Sequence, residues 1–262
     1  MLTFDDLATE FRAIGVQTGD TLLVHSSYKS FGGVEGGPQT VIDALRHVLG
    51  DEGTLIMPTF NFDFCKGKPW DVRSTPSHMG AITNMVREHP NSRRVFHPIY
   101  SFAILGKHAE FLSKERYKSS YERNSLFGKL RELDGKIMVV GLSYNDSMTF
   151  FHHVEEMEGV DYRYMKEFTG MVTDENGSTY EDTFTMLVRD VKKGVQTMVD
   201  PMGALMETAG VISVGKIGEA KVSLMKANEI YEFAAREMRR EPMLLYRIEG
   251  DQGSGNQETK NQ

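Results

Sequence analysis

The chain holds one cysteine, Cys65, one tryptophan, Trp70, and eight prolines in 262 residues. A single cysteine excludes an internal disulfide and fits a reducing, cytoplasmic setting. Its place in the polar run Asn61–Lys68, with no histidine beside it, reads as an incidental thiol rather than a nucleophile. No apolar run reaches the roughly 20 residues that cross a bilayer, and Met1–Gly15 lacks the apolar core of a signal peptide. A membrane partner is therefore not expected. There is no His-Glu-x-x-His and no Cys/His ligand spacing, so no metal is expected either. Neither a P-loop nor a dinucleotide fingerprint occurs. Basic residues are in deficit, with a formal net charge of −7 and a pI near 5.7. That balance argues against a nucleic-acid partner and favours a cationic ligand over an anionic one.

What is present is an ordinary globular composition on a chain long enough to bury a full core. With no repeat and no linker, residues 1–250 read as one domain, and Asp251–Gln262, which has no apolar residue, as a disordered tail. Phe4–Ile14 is amphipathic between Thr3 and Gly15, the signals of a capped helix. Thr21–His25 predicts a strand, Ser26–Gly37 a glycine-rich loop, and Pro38 the first turn of a helix that Gly50 stops. Thr54–Met57 and Tyr100–Leu105 predict further strands. Thr59–Ser77 is a long irregular stretch of the kind that usually carries function. Gly170–Thr173 and Thr179–Thr185, split by Glu175-Asn176-Gly177, predict a hairpin with a type I′ turn. Met202–Gly210 and Ser223–Met238 predict helices. Strands and helices alternate from 21 to 141 and antiparallel strands follow, so a layered α/β core is expected.

Two stretches carry chemistry. Over 21–40, a strand, a glycine-rich loop and a helix N-terminus follow one another, which presents backbone N–H groups to a phosphate. Glycine pairs also serve plain tight turns. Over Gly135–Glu156, a buried strand Ile137–Val140 ends at Gly141, and Leu142–Ser147 reads as a loop with Asp146 or Ser147 as N-cap. A helix opens near Met148, and Met148, Phe151, His152 and Glu155 share one of its faces. A packing face would be apolar throughout. This one ends in an imidazole and a carboxylate that can touch at i, i+3. A glutamate so placed fixes the ring tautomer and raises its basicity, as a general base near pH 7 requires. A solvated face with an ordinary ion pair is the alternative. Glu155, Glu156, Glu158 and Asp161 put acid on and after this helix, a second pointer to a cationic acceptor.

The successive blocks HSSYKSFGGVEGGPQTVIDAL, HPIYSFAILG, MTFFHHVEE and GKIGEAK resemble those of the aminoglycoside 3-N-acetyltransferase family, over about residues 3–248. The resemblance implies a three-layer α/β/α fold with a mixed central sheet, different from that of the GNAT acetyltransferases. It implies acetyl-CoA as donor, with the coenzyme A loop on Ser26, Ser27, Gly32, Val34, Glu35, Gly36, Gly37, Pro38 and Gln39. Ser101 and Phe102 would lie near the thioester and Ser125 near the cofactor. Catalysis would fall on His152 and Glu155, with direct attack of an amino-sugar amine on the thioester. Asp63 and Glu156 are the acceptor-side candidates. His153 and Glu156 depart from the His-Leu-Ala-Glu-Tyr run usual in aminoglycoside-modifying members. The acceptor is thus open between an aminoglycoside and a nucleotide-linked or surface-polysaccharide amino sugar, and a homo-oligomer stays open too.

Other chemistries compete. A serine hydrolase or thioesterase would use Ser27 or Ser101 with His152 and Glu155. Against it, Gly141-Leu142-Ser143-Tyr144-Asn145 lacks the second glycine of a nucleophile elbow. A metal site would gather His97, His152 and Glu155. A binder without catalysis would have no reason to keep the His/Glu face.

Overall fold

In the computed structural model, which describes residues 1–249, the first helix is set by its ends. Thr3 Oγ1 accepts from the Asp6 N–H at 3.2 Å while the Asp6 carboxylate accepts from the Thr3 N–H at 2.9 Å, a capping box that opens α1 (Phe4–Ile14). Gly15, at φ 110°, ends it in the left-handed conformation that glycine allows. The other helices are α2 (Pro38–Leu49), α3 (Ala81–Glu88), α4 (Ala109–Lys114), α5 (Leu126–Glu132), α6 (Tyr144–Ser147), α7 (Phe150–Glu158), α8 (Asp200–Thr208) and α9 (Ala227–Arg240). The strands are β1 (Thr21–Ser26), β2 (Thr54–Pro58), β3 (Trp70–Asp71), β4 (Arg93–Arg94), β5 (Phe102–Gly106) and β6 (Lys136–Val140). Then come β7 (Arg163–Thr173), β8 (Thr179–Arg189), β9 (Val195–Thr197), β10 (Ser213–Ile217), β11 (Ala220–Lys226) and β12 (Tyr246–Ile248).

Seven strands form one mixed sheet in the order β10-β11-β6-β1-β2-β5-β4. The central β1 runs parallel to both β6 and β2, and the outer pairs are antiparallel. Alternation along the central strands divides the core. Leu22, Val24, Leu55, Met57, Met138 and Val140 join the cluster made with α1, α2 and α3. Leu23, Ile56, Ile137 and Val139, one residue out of step, join the cluster made with α5, α7, α8 and α9. A sheet buried on both faces between helical layers is the three-layer α/β/α arrangement expected from the sequence. Outside it, β3, β7 and β8 form a second sheet, and β9 pairs with β12. Among the described residues no helix is long and apolar enough to cross a membrane.

Several local expectations are corrected. The helix expected over Ser223–Met238 begins only at Ala227, because Ala220–Lys226 pairs with β6 as the strand β11. Val222 and Leu224 lie on one side of it and polar Ser223 on the other, a two-residue period hidden beside the helical run. The hairpin strands are 11 residues each, longer than expected. Their turn is not type I′, which needs positive φ at two consecutive residues. Gly177 alone has it, at 84°, following the Asp174-to-Gly177 turn bond, so this is a three-residue loop closed by a glycine bulge. Finally, Leu142–Ser147 is not all loop, because Tyr144–Ser147 forms α6 under a Ser143 cap, and α7 opens at Phe150 with neither Asp146 nor Ser147 as its cap. The tail expected over 251–262 lies outside the described residues.

Candidate active site

The central strands β6 and β1 are parallel, and the chain leaves their carboxyl ends in different directions, which is where α/β sheets open a crevice. Beyond β6, Gly141 sits at φ 64° with the Ser30 hydroxyl where a β-carbon would be. Only glycine lets the turn Tyr28–Phe31 lie over that strand end. Ser143 then caps α6, accepting from the Asp146 N–H at 3.1 Å and donating to its carboxylate at 2.7 Å. The chain bends at Met148–Thr149 and α7 carries His152 and Glu155 inward.

His152 Nδ1 lies 2.6 Å from Glu155 Oε2. Glu155 is only 1% exposed, so its charge needs partners. Tyr162 donates its hydroxyl to Oε1 at 2.8 Å, and Arg163 Nε stands 2.7 Å from Oε2 as a charge contact. Arg163 also donates to Thr197 Oγ1 at 2.9 Å. Burial alone would raise the Glu155 pKa, but His152, Arg163 and Tyr162 together hold it below the ordinary value. Burial, with help from Arg163, pushes His152 below its ordinary 6.5 against the pull of Glu155. The imidazole is therefore neutral near pH 7. A carboxylate only accepts, so the shared proton sits on Nδ1 and the lone pair on Nε2.

His152 forms part of the wall of a cleft of about 400 Å³ with Tyr100, Tyr121, Arg163, Lys166 and Arg189. Tyr121 meets His152 edge-on at 5.3 Å, Tyr100 lies 5.0 Å from Tyr121, and Phe60 lies 4.6 Å from Tyr100. His25, at the end of β1, is next, 6.4 Å from Phe60. An aromatic wall thus runs from the glycine-rich loop's own strand to the His/Glu pair. The whole arrangement offers one basic nitrogen, an ionised carboxylate that stabilises its protonated form, and an apolar surface beside it.

The family model described as aminoglycoside 3-N-acetyltransferase matches residues 23–239. This chain belongs to that family. It is 27% identical over 257 residues to the SPbeta prophage-derived aminoglycoside N(3′)-acetyltransferase-like protein YokD of Bacillus subtilis (strain 168), covering 89% of this chain and 91% of that one. The crystal structure of aminoglycoside acetyltransferase AAC(3)-Xa superposes with a TM-score of 0.81 at 26% identity, covering 91% of this chain and 93% of its own. A histidine-to-alanine variant of AAC(3)-IVa, solved in complex with a gentamicin, matches with a TM-score of 0.78 at 25% identity, covering 93% and 91%. The protein is accordingly an acyltransferase with the α/β/α fold of its relatives.

In this acetyltransferase the loop expected to hold coenzyme A has a defined form. Ser26 closes β1, the Ser27 N–H donates to the Val140 carbonyl at 2.9 Å, and Gly32 ends the turn at φ 77°. Val34 bridges Leu2, and the Glu35 carbonyl accepts from Thr40 Oγ1 at 2.7 Å. Gly36 and Gly37, at φ 74° and 78°, then deliver Pro38 and Gln39 into α2, whose first turn has no side-chain cap. Other expected residues sit apart from the cleft wall. Ser101 is fully buried, its Oγ accepting from Arg94 Nε at 3.1 Å and 2.7 Å from Thr59 Oγ1. Phe102 packs edge-on against Phe127 in the core. Ser125, buried ahead of α5, has no partner for its hydroxyl among the described residues. Asp63 pairs with Lys66 and Lys68 at 3.2 and 2.9 Å. Glu156 accepts from the Ser119 hydroxyl at 2.8 and 2.7 Å.

His97 is enclosed. Its Nδ1 accepts from the Tyr100 N–H at 3.0 Å, and its ring lies between Tyr117 and Phe184, so it is not placed to join a metal. His153 is likewise buried, with Nδ1 2.7 Å from the Tyr121 carbonyl, which steadies the tyrosine beside His152. Burial drives the Cys65 thiol up to about 11, leaving it a poor nucleophile. Sequence reasoning missed Tyr162, Arg163, Tyr100 and Tyr121. The Tyr162-Arg163-Tyr164 run just past Gly159 was the available signal, since a chain reversed there returns to the helix it left.

Proposed function

We propose that the enzyme transfers an acetyl group from acetyl-CoA directly to the amine of an amino sugar, with His152 as general base. The observation that carries the reading is a neutral imidazole on a cleft wall, tied through Nδ1 to a buried, ionised Glu155. The amine arrives largely as ammonium and gives a proton to His152 Nε2. Its nitrogen then forms the C–N bond to the thioester carbonyl carbon, the C–S bond breaks, and the departing thiolate takes the proton back from the imidazolium. The second proton leaves the acylated nitrogen through the freed His152 Nε2 to water, so that a neutral amide and a thiol result. Glu155 stabilises that imidazolium and orients the ring. Tyr162 and Arg163 hold the carboxylate, so the pair keeps its geometry between turnovers.

For the donor, the start of α2 behind Gly36 and Gly37 suits the coenzyme A phosphates. It has no side-chain cap, Pro38 has no N–H and Thr40 donates to the Gly37 carbonyl, so the Gln39 N–H and the positive helix end are what it offers an anion. Tyr100 and Tyr121, the part of the aromatic wall that lines the cleft, would give the thiol arm an apolar surface beside His152. Cellular acetyl-CoA places the reaction in the cytoplasm. No metal takes part in this scheme. The family description and the gentamicin complex of a relative support an amino-sugar acceptor.

The hydrolase reading is less well supported at Ser101, whose hydroxyl is engaged with Thr59 and Arg94, and it rests on Ser27 as its other nucleophile. Thiol release from acetyl-CoA separates the two. It should be negligible in water and rise when an amino sugar is added. Equal release in water alone would favour the hydrolase.

A further inference from the structure

The charge of the cleft does not suit a polycation. Besides His152 and neutral side chains, its lining includes Arg163, Lys166 and Arg189 and no carboxylate. Of the acidic residues that made a cationic acceptor attractive, Glu155, Glu156 and Glu158 are already engaged, and exposed Asp161 is not part of the cleft lining. Glu155 faces His152, Tyr162 and Arg163, and Glu156 accepts from Ser119. Glu158 takes a two-pronged contact from Arg239 at 2.8 and 2.9 Å, and Asp63 holds two lysines. Asp190, beside Arg189, caps the turn Val191–Lys193 and pairs with Lys193 at 3.6 Å.

The cations are not equally satisfied. Arg163 is neutralised by Glu155. Arg189 stands directly opposite Arg163 across the β7–β8 ladder. Arg189 and Lys166 are exposed, and neither has a carboxylate within ion-pair distance among the described residues. Lys166 instead lies over the Phe168 ring at 5.1 Å, which also lines the cleft. In a chain of net charge −7, a local patch of the opposite sign beside the base is a selective feature.

Building on the acyl-transfer reading above, we infer that the acceptor amine carries an anionic group, phosphate or carboxylate, which Lys166 and Arg189 hold at the cleft. The amine then reaches His152 Nε2 while the anion stays at the hairpin. A polycationic aminoglycoside meets repulsion there instead.

The test compares acceptors with acetyl-CoA at low salt: neutral glucosamine, glucosamine 1-phosphate, a nucleoside-diphosphate amino sugar, an amino sugar acid, and gentamicin. A phosphate- or carboxylate-bearing amine should exceed glucosamine in kcat/KM by about tenfold or more, with the preference fading as salt rises. The phosphate and acid arms identify which anion is used. Lys166→Glu and Arg189→Glu, both at exposed positions, should raise the KM for the anionic acceptor about tenfold and bring its preference over glucosamine toward one. Preference for gentamicin, an unchanged ratio in both variants, or a rise in donor KM in place of acceptor KM would overturn the inference while leaving acyl transfer intact. No turnover with any amine would strike the acyl-transfer reading itself. Calorimetry with glucosamine 1-phosphate then still decides the cleft: binding weakened by either charge reversal supports the inference, and no binding overturns it.

Discussion

His152→Ala should lower kcat by about 100-fold or more, with the KM for acetyl-CoA little changed, because general-base assistance contributes on the order of 10²–10⁴-fold. The hydrogen-bond and ring partners of the side chain are Glu155 and Tyr121, outside the glycine-rich loop, so donor binding there should be preserved. Steady-state kinetics on the folded variant measures both quantities. The pH profile of the wild type carries the same information from the other side. Burial and Arg163 lower the His152 pKa from its ordinary 6.5, so the neutral base persists somewhat below that pH. Activity should fall on the acid side through a limb whose midpoint lies under 6.5, and His152→Ala should abolish that limb. Near-normal turnover in the variant would remove His152 from the mechanism.

Glu155→Ala should have the second largest effect, and it should appear in stability as well as rate. The carboxylate is the partner of Arg163, whose side chain is 4% exposed. Removing one member of such a pair strands a buried charge, at a cost of about 3–5 kcal/mol. Tyr162 loses its acceptor in the same step. Urea unfolding should report the loss, and kcat should fall by less than in His152→Ala because Nε2 remains. Glu155→Gln keeps a hydrogen-bond acceptor for Tyr162 and should recover part of the stability but little of the rate, since a neutral amide does not stabilise an imidazolium. Wild-type stability in Glu155→Ala would mean that Arg163 does not depend on this carboxylate.

The parts of the fold that could be read from sequence were those set by neighbours along the chain. Thr3 and Gly15 bracket α1 through local hydrogen bonds, and Pro38 and Gly50 do the same for α2 through fixed or permissive φ. The His152–Glu155 contact was legible for the same reason, being one helical turn. What could not be read arrives from elsewhere. Tyr162 and Arg163 reach Glu155 only because Gly159 reverses the chain, and Tyr100 and Tyr121 meet His152 through tertiary packing. The charge argument failed on the same ground. Glu155, Glu156, Glu158 and Asp161 looked like an acidic face, but Arg163 and Arg239 pair with Glu155 and Glu158, Ser119 holds Glu156, Asp161 is outside the cleft lining, and the two long strands of the hairpin supply cations there instead.

The central claim is that the acetyl group passes from the thioester to the amine in one displacement, with His152 moving a proton and no residue carrying the acyl group. The most direct measurement is the intact mass of the enzyme after incubation with acetyl-CoA in the absence of any amine, quenched within one turnover time. The account predicts an unmodified chain. A mass increase of one acetyl group, located by peptide mapping on Cys65, Ser27, Ser101 or another nucleophile, would contradict it.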